Sequence, residues 1–579
     1  MTGGNLHDQG IEFNHCRFID NKAAKQAGGI CVTKSVGAGS LDFFACVAEG
    51  NNGSVLAGFM SYLSAGIAVR SITLDSCRLL KNYSELGAPG LNLTSFVDVR
   101  TVFVLKNSEI TQHNSSEVST YGVINLSSAS DYAVDSVWIL NNNFHDNQGY
   151  SVCALGSSLY AAFTGNTITN NNFGAYIYAP YCYIENNIAE NNLSSAISSG
   201  GYLSVLCNNL FAQNGNSQLS YFQLFYNATN SPMGIQIKNY VFNNTFIDNL
   251  YQDNHNPNST PATGLNICYN NIFQGNTNTF DGQLGIPLQT DLDSNYFAYN
   301  LLDRDCNTLG ARSICGPGNL LTSDPQFVDA AAKDYRLSPC SPGVDAGWNA
   351  LPDTFHILSD LNGLPRIING FVDIGAYENP AFALAEAPVI KAACSGLANG
   401  SVSFAVSNGC PAYQLTWANG SENSLIINNL MAGSYQISLT DSQNKATVVS
   451  IVIPASNMVV TPTIQKASSA TTPDGAISLA VSAGLAPYQY LWSDGNTSAQ
   501  RSGLLPGFYQ LTITVYPCSY RQIAGHTSLT GLSLYRPQRI HHRHHPFQPL
   551  NTVVPIFSTH HFIKTVIRRI RILIQKLDA

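Results

Sequence analysis

The stretch N-N-T-F-I-D-N, residues 243–249, is polar at both ends and apolar in the middle. In isolation it reads as a surface loop, but it recurs. Aligned on Phe246, it has Asn244 two residues before the centre and Asn249 three after. The same register fits Phe273 (Asn271, Asn276) and Phe297 (Asn295, Asn300) downstream. Upstream it fits Phe211 (Asn209, Asn214), Ile188 (Asn186, Asn191), Ile168 (Asn166, Asn171) and Phe144 (Asn142, Asn147). Earlier still, Cys replaces the first Asn, around Leu79 (Cys77, Asn82), Ala48 (Cys46, Asn51) and Phe18 (Cys16, Asn21). Ile110 is a degenerate copy, flanked by Ser108 and His113.

The centres lie 20 to 35 residues apart, the period of a solenoid. Neither leucine-rich spacing nor a 3.6-residue helical period is present. Between centres run short alternating stretches such as G-I-Q-I-K-N-Y-V-F-N-N (234–244), which read as strands. One set of short strands per coil gives an all-β parallel β-helix. Strands on successive coils stack about 4.8 Å apart. The central apolar residue then points inward, and a small polar residue two before it stacks on its own copies. An inward Asn amide both donates and accepts, so it satisfies the Asn above and below. The expected ladder is Asn142, Asn166, Asn186, Asn209, Asn244, Asn271 and Asn295, with Cys16, Cys46 and Cys77 as its upstream rungs. In this reading Asn249 turns the chain, because Asn tolerates the left-handed backbone of a corner.

Composition narrows the function. Of 579 residues only 11% are charged, with a net charge of −8. That excludes the basic face of a nucleic-acid binder. The 14 cysteines are scattered without a C-x-x-C pair, so neither a zinc site nor a dense disulfide scaffold is suggested. No signal peptide is visible at the start, and G-G-N (3–5) falls just five residues before I-E-F-N-H-C (11–16), as though inside a coil. A missing N-terminal part is the expectation.

The repeat resembles the right-handed parallel β-helix surface proteins over residues 1–303. The resemblance implies the fold and leaves the activity open. Residues 304–380 contain D-P-Q-F (324–327), D-Y-R-L (334–337), D-A-G (345–347), G-L-P-R (363–366) and D-I-G-A-Y-E (373–378). This pattern resembles the choice-of-anchor Q segment that closes bacterial surface β-helices, and implies a cap over the last coil. Asp345, Asp373 and Arg366 are its expected buried charges, and Cys315–Cys340 is a candidate disulfide. Asp360, Asn362 and Asp373 are a candidate calcium set; turns and a buried ion pair are the competing reading.

A Pro/Ala linker (381–389) leads to two similar segments, 390–456 and 459–515. G-S-V-S-F-A-V (400–406) aligns with G-A-I-S-L-A-V (475–481), and G-S-Y-Q-I-S-L (433–439) with G-F-Y-Q-L-T-I (507–513). Each reads as a small β-sandwich with a tryptophan anchor, Trp417 or Trp492, and a repeated tyrosine, Tyr435 or Tyr509. They resemble SprB repeats of Bacteroidetes surface adhesins, which implies display at the cell surface. From Tyr516 to Leu577 there is no Asp or Glu, and H-H-R-H-H occupies 541–545. We expect residues 516–579 to be a frameshifted or disordered basic tail that leaves the second module incomplete.

No motif of a pectate-lyase-like or polygalacturonase-like site is found in the coils, and no catalytic residue is assigned. His145-Asp146 follows Phe144 directly, so it points outward and reads as a solvated pair. Tyr176, Tyr178, Tyr181 and Tyr183 lie on one or two coils and are the candidate ligand-binding residues, since exposed rings suit sugar faces; aromatic packing is the plainer reading. The expectation is a secreted surface protein for adhesion or binding of extracellular polysaccharide or cell-surface glycan. It needs no cofactor beyond the candidate calcium, no nucleic acid and no membrane insertion. A β-helix polysaccharide lyase or hydrolase and a structural spacer are the rivals.

Overall fold

A computed structural model describes residues 10–24, 27–33, 39–53, 57, 59–64, 70–95, 101–115, 122–128, 134–148, 151–156, 158–194, 197–215, 237–251, 262–278, 292–308, 313–394, 396–456, 459–469, 471–482, 487–507, 509–515 and 518–524. The chain divides into two compact units, Met1–Pro380 and Ala381–Ala579.

The first unit is a parallel β-helix. Two 12-stranded sheets run its length, one from Ile11–Asn14 to Ser313–Cys315 and the other from Arg17–Ile19 to Leu320–Leu321. A third sheet of seven strands, from Ile30–Thr33 to Ile197–Gly200, faces them over the upstream coils. The pairing is parallel and in register, so each inward position becomes a row. In the second sheet the row reads Phe18, Ala48, Leu79, Ile110, Phe144, Ile168, Ala189, Phe211, Phe246, Phe273, Leu302. The Phe246 ring stacks on Phe211 at 5.1 Å and on Phe273 at 4.8 Å, the coil spacing itself. In the first sheet Phe43, Leu74, Leu105, Ile139, Phe163 and Ile184 form the facing row of the same core. Alternation in sequence becomes in and out in space.

Each strand of the second sheet is flanked by two corners, and both are sharp. Asn243 and Asp248 have φ of 55° and 49°, in the left-handed region. The next residues, Asn244 and Asn249, are fully buried rungs. This corrects the expected role of Asn249: Asp248 turns the chain, and Asn249 belongs to a second ladder. Asn244 Nδ2 donates to Asn271 Oδ1 at 3.0 Å and to Leu206 O at 3.0 Å, while its Oδ1 accepts from Asn209 N and Nδ2. Asn249 repeats this between Asn214 and Asn276, with Phe211 O as the carbonyl partner. The left-handed corner itself admits His15, Ala45, Lys81, Gln112 and Tyr299 as well as Asn and Gly.

Two rungs differ from the expected ladder. The coil centred on Ile188 is shifted by one: Ala189 stacks on Ile168, and Asn187 Oδ1 accepts from Asn166. Asn186 is the left-handed corner (φ 56°) and lies outside the ladder. The coil centred on Phe297 is shifted by five: Leu302 stacks on Phe273, and Asn300 is the rung that receives Asn271. Asn295 instead ends a separate inner ladder in the first sheet, Asn239 to Asn266 to Asn295. Upstream, Cys46 Sγ faces Phe13 O at 3.3 Å and Cys77 Sγ faces Phe43 O at 3.5 Å. Cys16, Cys46 and Cys77 are free thiols.

A further coil runs past residue 303 to Leu321, and Cys315 bonds Cys306 instead of Cys340. Residues 327–378 then turn back along the outside of the solenoid instead of covering its end. Tyr335, Leu337, Val344 and Ile374 pack on Leu210, Ala212, Ile247, Ile272 and Leu301, the outward residues of the second sheet. Around the corner the short helix Ala350–Phe355 lays Phe355 on Tyr240 and Phe242. Outward corner asparagines fasten the segment: Asn208 Nδ2 to Ser359 O, Asn243 Nδ2 to Asp373 O and Asn270 Nδ2 to Trp348 O.

The second unit holds two antiparallel modules. In the first, Val389–Lys391, Gly400–Ser403 and Ile426–Leu430 form one sheet, and Gly420–Glu422, Gln414–Trp417, Gly433–Thr440 and Ala446–Ile453 the other. Residues of both enclose one core, including Val402, Ile427, Leu415 and Ile437. The second module repeats this order with Val459–Gln465, Gly475–Ser482 and Gln500–Leu504 against Tyr488–Trp492, Tyr509–Val515 and Cys518–Ala524. The strand Cys518–Ala524 pairs along the whole of Tyr509–Val515, as Ala446–Ile453 does along Gly433–Thr440. Residues beyond 515 therefore continue the hairpin. The rest of the basic tail, His541 to His545 included, lies outside the described residues. Trp492 is buried as expected, but Trp417 is only half-buried. Tyr435 and Tyr509 have one job: each hydroxyl donates back to the carbonyl four residues upstream, Met431 and Leu505.

Candidate functional site

Function in a solenoid is carried by outward side chains; two candidate groups lie on the coils and a third in the closing segment. The four candidate tyrosines are split by the corner at Ala179-Pro180. Tyr176 and Tyr178 lie on the third sheet, where Tyr178 is exposed and Tyr176 half-buried. Tyr181 and Tyr183 lie on the first sheet, and Tyr183 is buried at 8% exposure. They do not form one surface.

The second group is an ionic row on the outer face of the second sheet. Arg78, Glu109 and His145 come from successive strands, Arg78–Leu80, Glu109–Thr111 and Asn143–His145. Arg78 Nε donates to Glu109 Oε2 at 2.7 Å, and His145 Nε2 lies 3.3 Å from Glu109 Oε1. His145 Nδ1 is 2.8 Å from Asp146 Oδ2 and 3.1 Å from Thr111 Oγ1. His145 is thus held between two carboxylates and is not merely solvated. The Arg78 hydrogen bond holds the Glu109 carboxyl below the usual range, aided by His145. Neither His145 nor Glu109 shows a periodic signature in sequence; only the coil register, 34 to 36 residues of separation, brings them together.

The third group is the buried charge cluster of the closing segment. Arg366 is 1% exposed, and its Nε lies 3.1 Å from Glu378 Oε1, off the line of a hydrogen bond. Its Nη2 donates to the carbonyls of Asp373 and Gly375. Asp373 Oδ1 and Oδ2 accept the backbone N–H groups of Asp345 and Asn379. Asp360 accepts those of Asn362, Leu364 and Glu378. The carboxylates proposed for calcium are thus each turned to backbone amides, and Asn362 meets Asp360 through its own N–H. Asp345 is half-buried, and the partner of Arg366 missed in sequence is Glu378. Burial pushes Glu378 up to about 9 and Asp373 up to about 6, against the pull of Arg366. Among the described residues the one converging trio of potential metal ligands is Asp305, Cys306 and Cys315, and its two cysteines are the disulfide.

The family model of the SprB repeat matches residues 470–497. The match holds the strands Gly475–Ser482 and Tyr488–Trp492 of the second module. No curated protein matches the chain. Among the described residues no helix is long and apolar enough to cross a membrane.

Proposed function

We propose that this chain is a secreted, non-catalytic cell-surface protein in which SprB-type modules present a β-helix that binds glycan. The observation that carries the reading is the SprB match at 470–497, inside the second of two modules with the same strand order. SprB-type modules imply a Bacteroidetes-type surface and a role in reach and display. The β-helix supplies what such a stalk would present, a long face whose upstream outward residues include Arg17, Glu49, Arg78, Glu109 and His145. The closing segment, in this reading a choice-of-anchor Q element, covers the apolar outward residues further down. Protease shaving of intact cells should release β-helix peptides, and a glycan array probed with the whole chain should give saccharide binding. Protection from the protease overturns surface display; a silent array overturns glycan binding and favours the spacer.

The ionic row supports a second reading, polysaccharide cleavage. It is the one place where an acid, a histidine and an arginine converge among the described outward groups. Incubation with a polysaccharide panel, scored for new reducing ends and unsaturated products, decides. Product formation abolished by Glu109→Gln would replace the non-catalytic reading.

A further inference from the structure

Three tyrosines and a tryptophan from three separate segments meet beside the closing segment. Tyr269 and Trp348 have ring centroids 4.8 Å apart, and Tyr269 and Tyr296 5.7 Å. Tyr299 lies nearly parallel to Trp348, at 13° and 6.1 Å, and to Tyr269, at 18° and 6.3 Å. Tyr269 and Tyr296 stand on diagonal outward positions of adjacent strands, with Tyr296 opposite Ile267 and Tyr269 opposite Ala298. Tyr299 is the left-handed corner that follows, with φ of 55°. Glycine leaves room for two of the rings: a Cβ on Gly318 would overlap the Tyr299 ring, and one on Gly316 the Tyr296 hydroxyl.

This cluster is not simply core. Trp348 is 39% exposed, while its backbone is held at both ends by one amide. Asn270 Oδ1 accepts Trp348 N at 2.7 Å, and Asn270 Nδ2 donates to Trp348 O at 2.9 Å. A large ring kept at the surface on a fixed backbone loses little freedom when a ligand arrives. Ile314, 49% exposed, faces Tyr296 across the last strand pair and extends the surface.

We propose that Tyr269, Tyr296, Tyr299 and Trp348 form a binding platform for a neutral saccharide chain; this rests on the glycan-binding reading above and gives it a place. The ring faces take the C–H face of a pyranose, and the tyrosine hydroxyls at the rim meet its hydroxyl groups. None of the four platform side chains is Asp, Glu, Lys, Arg or His, and burial pushes the Tyr269 phenol up to about 12. The four rings therefore offer an acidic sugar no cation. The area fits a small ligand better than a protein. Parts of four rings expose on the order of 200–300 Å², against about 800 Å² per partner in a stable protein interface.

The test uses the whole chain with defined neutral oligosaccharides (gluco-, xylo-, manno- and chito-hexamers) and oligogalacturonate as the acidic comparison. Binding is followed by calorimetry and by tryptophan fluorescence. At least one neutral series should bind. Trp348→Ala should weaken that series by about tenfold or more, Trp348→Phe should retain most of the affinity, and Tyr178→Ala on the third sheet should change nothing. Ile314→Lys, at an exposed rim position that places no burden on folding, should also weaken binding, which keeps the test decisive if Trp348→Ala lowers stability. Neutral binding untouched by both Trp348→Ala and Ile314→Lys overturns this site and leaves glycan binding standing. Binding of the acidic series alone overturns it as well. If no saccharide binds, the platform and the glycan-binding reading fall together.

Discussion

His113 shows what a rung of the ladder has to do. It occupies the second ladder between Asn82 and Asn147 and is fully buried. Its Nδ1 accepts from Asn82 N at 3.2 Å, as an Asn Oδ1 would, and its Nε2 lies 3.0 Å from Leu79 O, where an Asn Nδ2 would donate. The imidazole does the work of an amide, which requires the neutral tautomer with the proton on Nε2. In sequence this coil looked degenerate; chemically it is intact. Burial pushes the His113 pKa down to about 4 from 6.5. A depressed folded pKa gives stability that is full above 6.5 and lost as pH falls through 4. The shift corresponds to roughly 3 kcal/mol. Thermal melts between pH 7 and 4 should show that loss, and His113→Asn should flatten it while leaving the neutral-pH melt nearly unchanged. Asn244→Ala is the opposite case. It orphans Asn209 N and Leu206 O inside the coil, and should cost about 2–4 kcal/mol in a denaturant titration. Asn243→Gly, one residue away at the corner, keeps every ladder hydrogen bond.

At the level of the element, the closing segment marks where sequence reading stopped. The coils were legible because an inward row repeats its chemistry, so Phe246 predicted its stack on Phe211 and Phe273. The one-residue slip at Ile188 came from three consecutive candidates, Asn186, Asn187 and Ile188, where side chains alone do not say which is the corner. The segment after Leu321 has no period, and its partners are outward residues such as Leu210, Ile247 and Leu301. Outward residues are unconstrained by the stack, so nothing in the repeat announced that they would be covered. The aromatic platform escaped for the same reason: Trp348 meets Tyr269 only because the segment turns back. Its buried charges give the element a pH response of its own. Glu378, Asp373 and Asp360 share a single arginine, so with all three ionised the site would hold excess negative charge. The raised values of Glu378 and Asp373 mean that their stabilisation is full below their unfolded values near 4. It is lost as pH rises through about 6 and then about 9. Fluorescence of Trp348 should therefore report loosening of the segment from pH 5 to 9, ahead of the β-helix itself. Glu378→Gln, which stays neutral, should remove the alkaline part of that response. A segment equally firm at pH 5 and 9 would contradict the assignment.

At the level of the molecule, the β-helix is a stack in which each coil touches its neighbours, so stability is close to a sum over coils and interfaces. Charge contributes little to it: Arg78–Glu109 and Lys106–Asp75 join adjacent coils, but a largely exposed pair such as Arg78–Glu109 is worth less than about 1 kcal/mol. The sum implies that register matters more than length. Removal of residues 46–76 joins Ala45, a left-handed corner, to Cys77, a rung that replaces Cys46 in kind. The strand Arg78–Leu80 then lies on Arg17–Ile19 exactly one coil earlier, and Thr101–Lys106 on Ser40–Phe44, with apolar residues still facing inward. One interface is lost and none is mismatched, so this variant should fold and melt within about 5 °C of the parent. Removal of residues 46–60 takes out fewer residues but sends the strands after the cut to the wrong faces, because no corner is followed by a rung at the junction. That variant should lose the cooperative melt and be cleaved early in limited proteolysis. If the smaller deletion proved the milder one, the stability of this fold would lie in local segments, and the row-by-row stacking would be a consequence of folding instead of its cause.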